Sequence, residues 1–193
     1  MRTIPMTVAL ALFIGFTGCE KSPSPPAPSK PAAPTPPAPS PAASADGAVD
    51  VLGVTFRIPE GWTQVAPANS MRLAELVVPD AAGQPECSVV FSTAGGTVDS
   101  NLERWAGQVQ PEAGGAKTEV QRSEVAGLRV SVGEWTGAFA GMGEAPARSG
   151  WTLRGAIVET PQGLLFVKMT GPREPMAAAT ESFNAMIAGL AAK

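Results

Sequence analysis

The stretch from Glu20 to Asp46 is almost entirely Pro, Ala and Ser, with ten prolines between Pro23 and Pro41 and no aromatic residue. Such a run carries too little apolar surface to bury a core, so any fold of this chain must be built outside it. Proline fixes φ and removes amide donors, which favours extended polyproline II and a semi-rigid spacer. At ~3.1 Å per residue, about 25 such residues reach on the order of 75 Å. Pro25, Pro28, Pro31 and Pro34 also recur at PxxP spacing, the pattern that aromatic grooves bind, so a recognition role stands beside the spacer role.

Ahead of the run, one positive charge at Arg2 precedes an apolar stretch from Met6 to Phe16, followed by Thr17, Gly18 and Cys19. This reads as a secretory signal over residues 1–18. The apolar stretch is shorter than the roughly 18 to 20 residues that a spanning helix needs. Thr17-Gly18-Cys19 resembles the bacterial lipobox, in which small residues precede a cysteine that is lipidated and becomes the mature N-terminus. Phe16 departs from that pattern, where an aliphatic residue is usual. The resemblance implies an acylated Cys19 as the lipidation site, residues 19–46 as a tether, and the lipid bilayer as a partner. Glu20 in place of Asp points to the outer membrane of a bacterial envelope, facing the periplasm or the surface. Several acyl chains on one residue hold firmly, since each buried methylene contributes about 0.8 kcal/mol. The alternative is ordinary signal cleavage nearby, with Cys19 incidental.

The side-chain inventory narrows the chemistry. His and Tyr are both absent, which removes the commonest proton carrier near neutral pH, the commonest metal-binding imidazole and the phenol of some acid catalysts. Fourteen basic residues against 17 acidic ones give a net charge of −3, too acidic and too dispersed for a binder of phosphate backbones, so no nucleic-acid partner is expected. No cofactor and no metal site are expected either. If Cys19 is acylated, Cys87 is the one thiol left and no internal disulfide can form.

Residues 47–193 hold all four Trp of the chain and mix apolar, Gly and charged positions, which marks them as the globular domain. A domain of this length buries about two-thirds of its unfolded surface, enough for a core without disulfides or metals. It is expected to be a monomer. Val54, Phe56 and Ile58 alternate with Thr55 and Arg57 before the turn Pro59-Glu60-Gly61. Further strands are predicted over Leu73 to Val78, Cys87 to Ser92, Val120 to Val125, Leu128 to Thr136, Trp151 to Glu159 and Leu164 to Thr170. Thr160-Pro161-Gln162-Gly163 joins the last two as a hairpin. Gly133 interrupts the alternation and puts Trp135 in the other phase, which predicts a bulge or bend there. One helix is expected to start at Ser100 with Glu103 completing a capping box, and to align Leu102, Trp105, Ala106 and Val109 on one face. A second begins near Glu174-Pro175 and carries the stripe Met176, Thr180, Phe183, Ile187 and Leu190. The fold class that follows is α+β, an antiparallel β-sheet flanked by helices.

The order of these elements, with the opening segment Val54-Thr55-Phe56-Arg57-Ile58-Pro59-Glu60-Gly61-Trp62 and a first helix containing Leu102 and Trp105, resembles the PsbP-like α/β/α sandwich. That family includes photosystem II extrinsic proteins, a nuclear-transport factor and many bacterial proteins. The resemblance covers most of residues 49–190 and implies a domain that binds other proteins. Metal ligands attributed to the photosynthetic members include histidines, which this chain lacks, so no site transfers.

Among candidate reactive groups, Cys87 lies on a predicted strand before Ser88-Val89-Val90-Phe91 and has no His to activate it, so it reads as a small buried apolar residue. A mixed disulfide or a dimer linked through it is the alternative. The lysines beyond the spacer are Lys117, Lys168 and Lys193, and no Ser-x-x-Lys motif or Gly-x-Ser-x-Gly elbow uses them. Glu86, Asp99, Glu103, Glu134 and Glu159 read as solvated or capping residues, although some carboxylate pair could hydrolyse a glycoside without His. The segment between Thr136 and Trp151 reads as a long hairpin connection that presents Phe139, Met142 and Arg148 as candidate ligand-binding residues, with Phe139 folded back on the core as the alternative. The sequence therefore leads to an envelope lipoprotein that carries a non-catalytic binding or scaffold domain, not an enzyme, for an envelope protein or glycan. The second reading is a hydrolase that uses two carboxylates.

Overall fold

The computed structural model describes residues 47–112, 119–141 and 146–193. The signal segment, Cys19, the tether and Met142 lie outside them. In chain order the elements are β1 (Ala48–Val51), β2 (Val54–Arg57), β3 (Thr63–Val65), β4 (Arg72–Pro79), β5 (Pro85–Thr93), α1 (Val98–Ala106), β6 (Val109–Pro111), β7 (Gln121–Val125), β8 (Leu128–Phe139), β9 (Arg148–Thr160), β10 (Gly163–Pro172), α2 (Arg173–Ala188) and β11 (Ala191–Ala192). The large sheet is eight-stranded, in the order β3-β4-β5-β10-β9-β8-β6 with β7 added to β8; β1, β2 and β11 form a separate three-stranded sheet. The pairings are antiparallel, as the short turns between consecutive strands allow.

The central strands are apolar on both faces, so each face needs its own cover. In β10, Leu165, Val167 and Met169 point into one core while Phe166 points into the other. The first core is closed by α2, through Met176, Phe183 and Ile187, and by Val49, Val54 and Phe56 of the small sheet. Phe56 meets Phe91 edge-on with ring centroids 5.3 Å apart. The second core is closed by α1, whose Leu102 and Trp105 pack on Trp135, Leu153, Ile157 and Phe166. The layers are helix, sheet, helix, which is the α+β sandwich that the element order implied.

Two local expectations are corrected. First, α1 begins earlier than Ser100, with Thr97 as its cap. The Thr97 hydroxyl accepts from the Ser100 amide at 3.1 Å, and the Ser100 hydroxyl accepts from the Thr97 amide at 3.0 Å, so Ser100 takes the answering role assigned to Glu103. The earlier start turns Asn101 inward, where its amide nitrogen donates to the carbonyls of Gly95 at 3.1 Å and Thr97 at 2.8 Å. Second, Gly133 makes no bulge. It stays in register opposite Gly155, and the shift in the β8–β9 ladder falls later, between Gly137 and Phe139. Trp135 changes phase because it belongs to the second core while Val130 belongs to the first. Strands β1, β3, β6 and β11, at four, three, three and two residues, are too short to show alternation and have no counterpart in the sequence reading.

Gly133 and Gly155 have a different role. A Cβ on Gly133 would stand 2.5 Å from the Trp135 ring, and one on Gly155 would overlap the six-membered ring of Trp105. The indoles lie on bare backbone, with Trp105 and Trp135 edge-on at 6.2 Å and Trp105 and Phe166 edge-on at 5.4 Å. Gly155→Ala should therefore lower stability by about 1–3 kcal/mol through overpacking. Gly95→Ala, an exposed position with open space for a Cβ, should change it by less than about 0.5 kcal/mol. Urea denaturation of the two variants checks this.

Candidate functional site

A helix of nine residues is about 13 Å long, and a sheet of eight strands is roughly 30 Å across. α1 therefore cannot cover its whole face, and the β4, β5 and β10 part beside it stays open. Strand register fixes what is displayed there. Glu75, Val90, Lys168, Gly155 and Gly133 stand opposite one another in one row across β4, β5, β10, β9 and β8. Trp105 fills the glycine end of that row, and Lys168 stands beside it. The neighbouring row places Arg72 opposite Ser92 and Ser92 opposite Phe166.

Between the end of α1 and these strands is a cavity of about 330 Å³. Its apolar wall is made by Trp105, Phe166, Val90 and Ala94, and its polar groups include Ser92, Gln108, Arg72, Arg104 and Lys168. Met71, 70% exposed, stands at its edge. The three cations are held differently. The Arg72 guanidinium donates to the Glu75 carboxylate at 2.6 Å, and Glu75 also accepts from the Ser88 hydroxyl and the Ala68 amide at 3.2 Å each. Arg104 donates to the side-chain carbonyl of Asn101 at 2.7 Å and lies 5.9 Å from the centroid of the Phe166 ring. Lys168 donates to the side-chain carbonyl of Gln108 at 3.3 Å. Among the described residues no carboxylate lies within 4.0 Å of Arg104 or Lys168. Burial lowers the pKa of the Lys168 ammonium, and the charges of Arg104 and then Arg72 lower it further.

The contact residues expected from the sequence lie elsewhere. β8 runs to Phe139 and β9 starts at Arg148, and these two residues pair directly, so the connection between them is shorter than the segment from Thr136 to Trp151. Phe139 stacks on Trp151, with ring centroids 6.0 Å apart and planes at 12°, and packs against the second core. The Arg148 guanidinium lies 4.5 Å from the centroid of the Trp151 ring. Nearby, Glu112 accepts from the Gly150 amide at 2.9 Å and from Arg173 at 2.8 Å, tying the start of β9 to the start of α2. Phe139 and Arg148 are thus brought together at the hairpin end, away from the cavity lining. Arg72 and Arg104 were not singled out in the sequence, and Lys168 only as a lysine without a partner serine. Its signal is a lone charge among Leu165, Phe166, Val167 and Met169 in an otherwise apolar strand.

Several carboxylates among the described residues are tied to cations. Besides Glu75, Asp99 meets Arg122 at 2.6 Å, Glu134 meets Arg154 at 2.8 Å, and Glu159 meets Arg129 in a two-pronged contact at 2.9 and 2.7 Å. The carboxyl pKa values that move go down: Asp50 through the Thr55 hydroxyl and then Lys193, Glu112 through the Gly150 amide and then Arg173, Glu159 through Arg129. A glycosidase acid needs the opposite shift. No group of three or more Cys, Asp or Glu side chains among the described residues is arranged to hold a metal.

The solved structures similar to this chain include two from bacteria. The solution structure of cyanobacterial PsbP (CyanoP) from Synechocystis sp. PCC 6803 has 14% sequence identity, covers 82% of this chain and 100% of its own, and superposes with a TM-score of 0.49. A Pseudomonas aeruginosa protein of unknown function has 10% identity, covers 76% of this chain and 96% of its own, with a TM-score of 0.39. No protein-family model and no curated protein matches the sequence.

Cys87 takes the structural place that its strand position predicted. It is 3% exposed in the first core, and a Cβ on Gly171 would stand 2.5 Å from its sulfur. Burial first, and then the Glu86 charge, push its thiol up to about 11. The thiolate is the reactive form, so native-state alkylation by iodoacetamide at pH 8 should be at least about a hundredfold slower than in guanidinium-unfolded protein. Mass spectrometry of the labelled cysteine reads the ratio.

Proposed function

We propose that this chain is a lipid-anchored bacterial envelope protein whose folded domain binds a ligand without transforming it. In this reading Cys19 carries the acyl chains, and residues 19–46 hold the domain off an outer-membrane surface as a semi-rigid spacer. The observation that carries the binding role is the face that α1 leaves half covered, with its open cavity of about 330 Å³. Ligand sites are concave, mainly apolar and furnished with a few convergent polar groups, and this cavity has that composition. Its polar residues are three cations, two amides and two hydroxyls, and its lining holds no imidazole, carboxylate or thiol. The stacked Phe139, Trp151 and Arg148 at the hairpin end offer a second surface for an envelope protein or glycan. A hydrolase working through two carboxylates gains no support, since the carboxyl pKa shifts run downward.

The anchor is tested by fractionating cells that express the wild type and Cys19→Ala. The wild type should sediment with membranes and the variant should be soluble, and equal membrane partition of the two would remove the anchor. Reproducible turnover of a glycoside or ester by the purified chain would remove the non-catalytic half.

A further inference from the structure

We propose that the cavity between α1 and the β4, β5 and β10 face binds a small amphipathic oxyanion, a carboxylate or phosphate on a short apolar stem, with Lys168 and Arg104 receiving the charge. This rests on the binding-module reading and names the class of ligand. The argument begins with charge. Arg72 is neutralised by Glu75 at 2.6 Å, whereas among the described residues Arg104 and Lys168 face the same cavity with the neutral side-chain carbonyls of Asn101 and Gln108 as their hydrogen-bond partners. Lys168 is half-buried and Arg104 exposed at the cavity; burial first, and then repulsion from Arg104 and Arg72, lower the pKa of the Lys168 ammonium. An anion between them removes the repulsion and gains two charge-assisted hydrogen bonds.

Unused donors point the same way. A guanidinium has five N–H groups and an ammonium three, and among the described residues one of each is engaged. The Ser92 hydroxyl lines the cavity with no hydrogen-bond partner among the described residues and can turn to donate. The rest of the lining fixes the other half of the ligand. Trp105, Phe166 and Val90 give an apolar wall, and the exposed Met71 extends it to the rim. A bare inorganic anion would leave that wall wet, and a neutral apolar molecule would leave two cations unsatisfied. The volume is near the lower end of the range for small-molecule sites, which fits a short stem.

Isothermal titration calorimetry on the full chain, in non-ionic buffer at low salt, tests the proposal with hexyl phosphate, hexanoate, inorganic phosphate, hexanol and hexylammonium as probes. Hexyl phosphate or hexanoate should bind at least about tenfold more tightly than inorganic phosphate, hexanol or hexylammonium. Whichever of the two is preferred separates a phosphate-bearing ligand from a carboxylate-bearing one. Lys168→Met and Arg104→Gln should each weaken the preferred anion by about tenfold or more. Met71→Glu changes a residue that is 70% exposed and so leaves the fold intact, and the negative charge it puts at the rim should also weaken the anion. Hexanol binding as well as the anions, no heat from any probe, or anion affinity unchanged in all three variants would overturn the proposal. Loss of anion binding while Cys19→Ala still releases the chain from membranes would separate a failed ligand assignment from a failed anchor.

Discussion

The contact between Trp105 and the backbone of Gly155 sets the geometry of the α1 face. A nine-residue helix has too few side chains to grip a wide sheet by ordinary interdigitation. It docks by lowering one large ring into a trough where two adjacent strands carry no side chain, and Trp135 fills the same trough from the neighbouring position. Edge-on packing among Trp105, Trp135 and Phe166 then fixes the helix over β8, β9 and β10. The position of α1 decides which part of the sheet stays uncovered, and so where the cavity is.

The two faces of the large sheet have opposite requirements. On the α2 side the small sheet and the terminal helix close a continuous core from Val49 to Leu190. The last residues are tied back as well, with the Lys193 amide donating to the Gly53 carbonyl at 2.9 Å and its ammonium meeting Asp50 at 3.0 Å. On the α1 side the cover stops short, and the open strands carry charged and hydroxyl side chains where a fully covered sheet would carry aliphatic ones. Glu75 in this region satisfies Arg72, Ser88 and the Ala68 amide together, which holds the β3–β4 connection against the sheet and shapes one wall of the cavity.

The strands that alternate over five or more residues were legible, because period-two patterning survives whenever one face differs from the other. The same patterning does not place Gly133, because alternation alone does not tell one core from two, and Trp135 serves a second core that only the layered arrangement reveals. The cap of α1 was displaced because Ser100 and Thr97 can both hold either end of a capping box, and the choice falls to Asn101, which must turn its amide towards Gly95 and Thr97. Phe139 and Arg148 looked like loop residues because the ladder that pairs them depends on a register shift after Gly137 that no local pattern encodes.

By itself the sequence determined that the domain is an antiparallel sheet with two amphipathic helices and that Cys87 is interior, since both follow from short-range periodicity. The tertiary structure alone decided that Arg72, Arg104 and Lys168 share one cavity. They come from a strand, a helix and a second strand far apart in the chain, and what brings them together is the strand order β4-β5-β10 with the docking of Trp105 on a glycine row. Long-range strand pairing and the site of helix docking are set by packing over the whole sheet, and no segment of the chain carries that information alone.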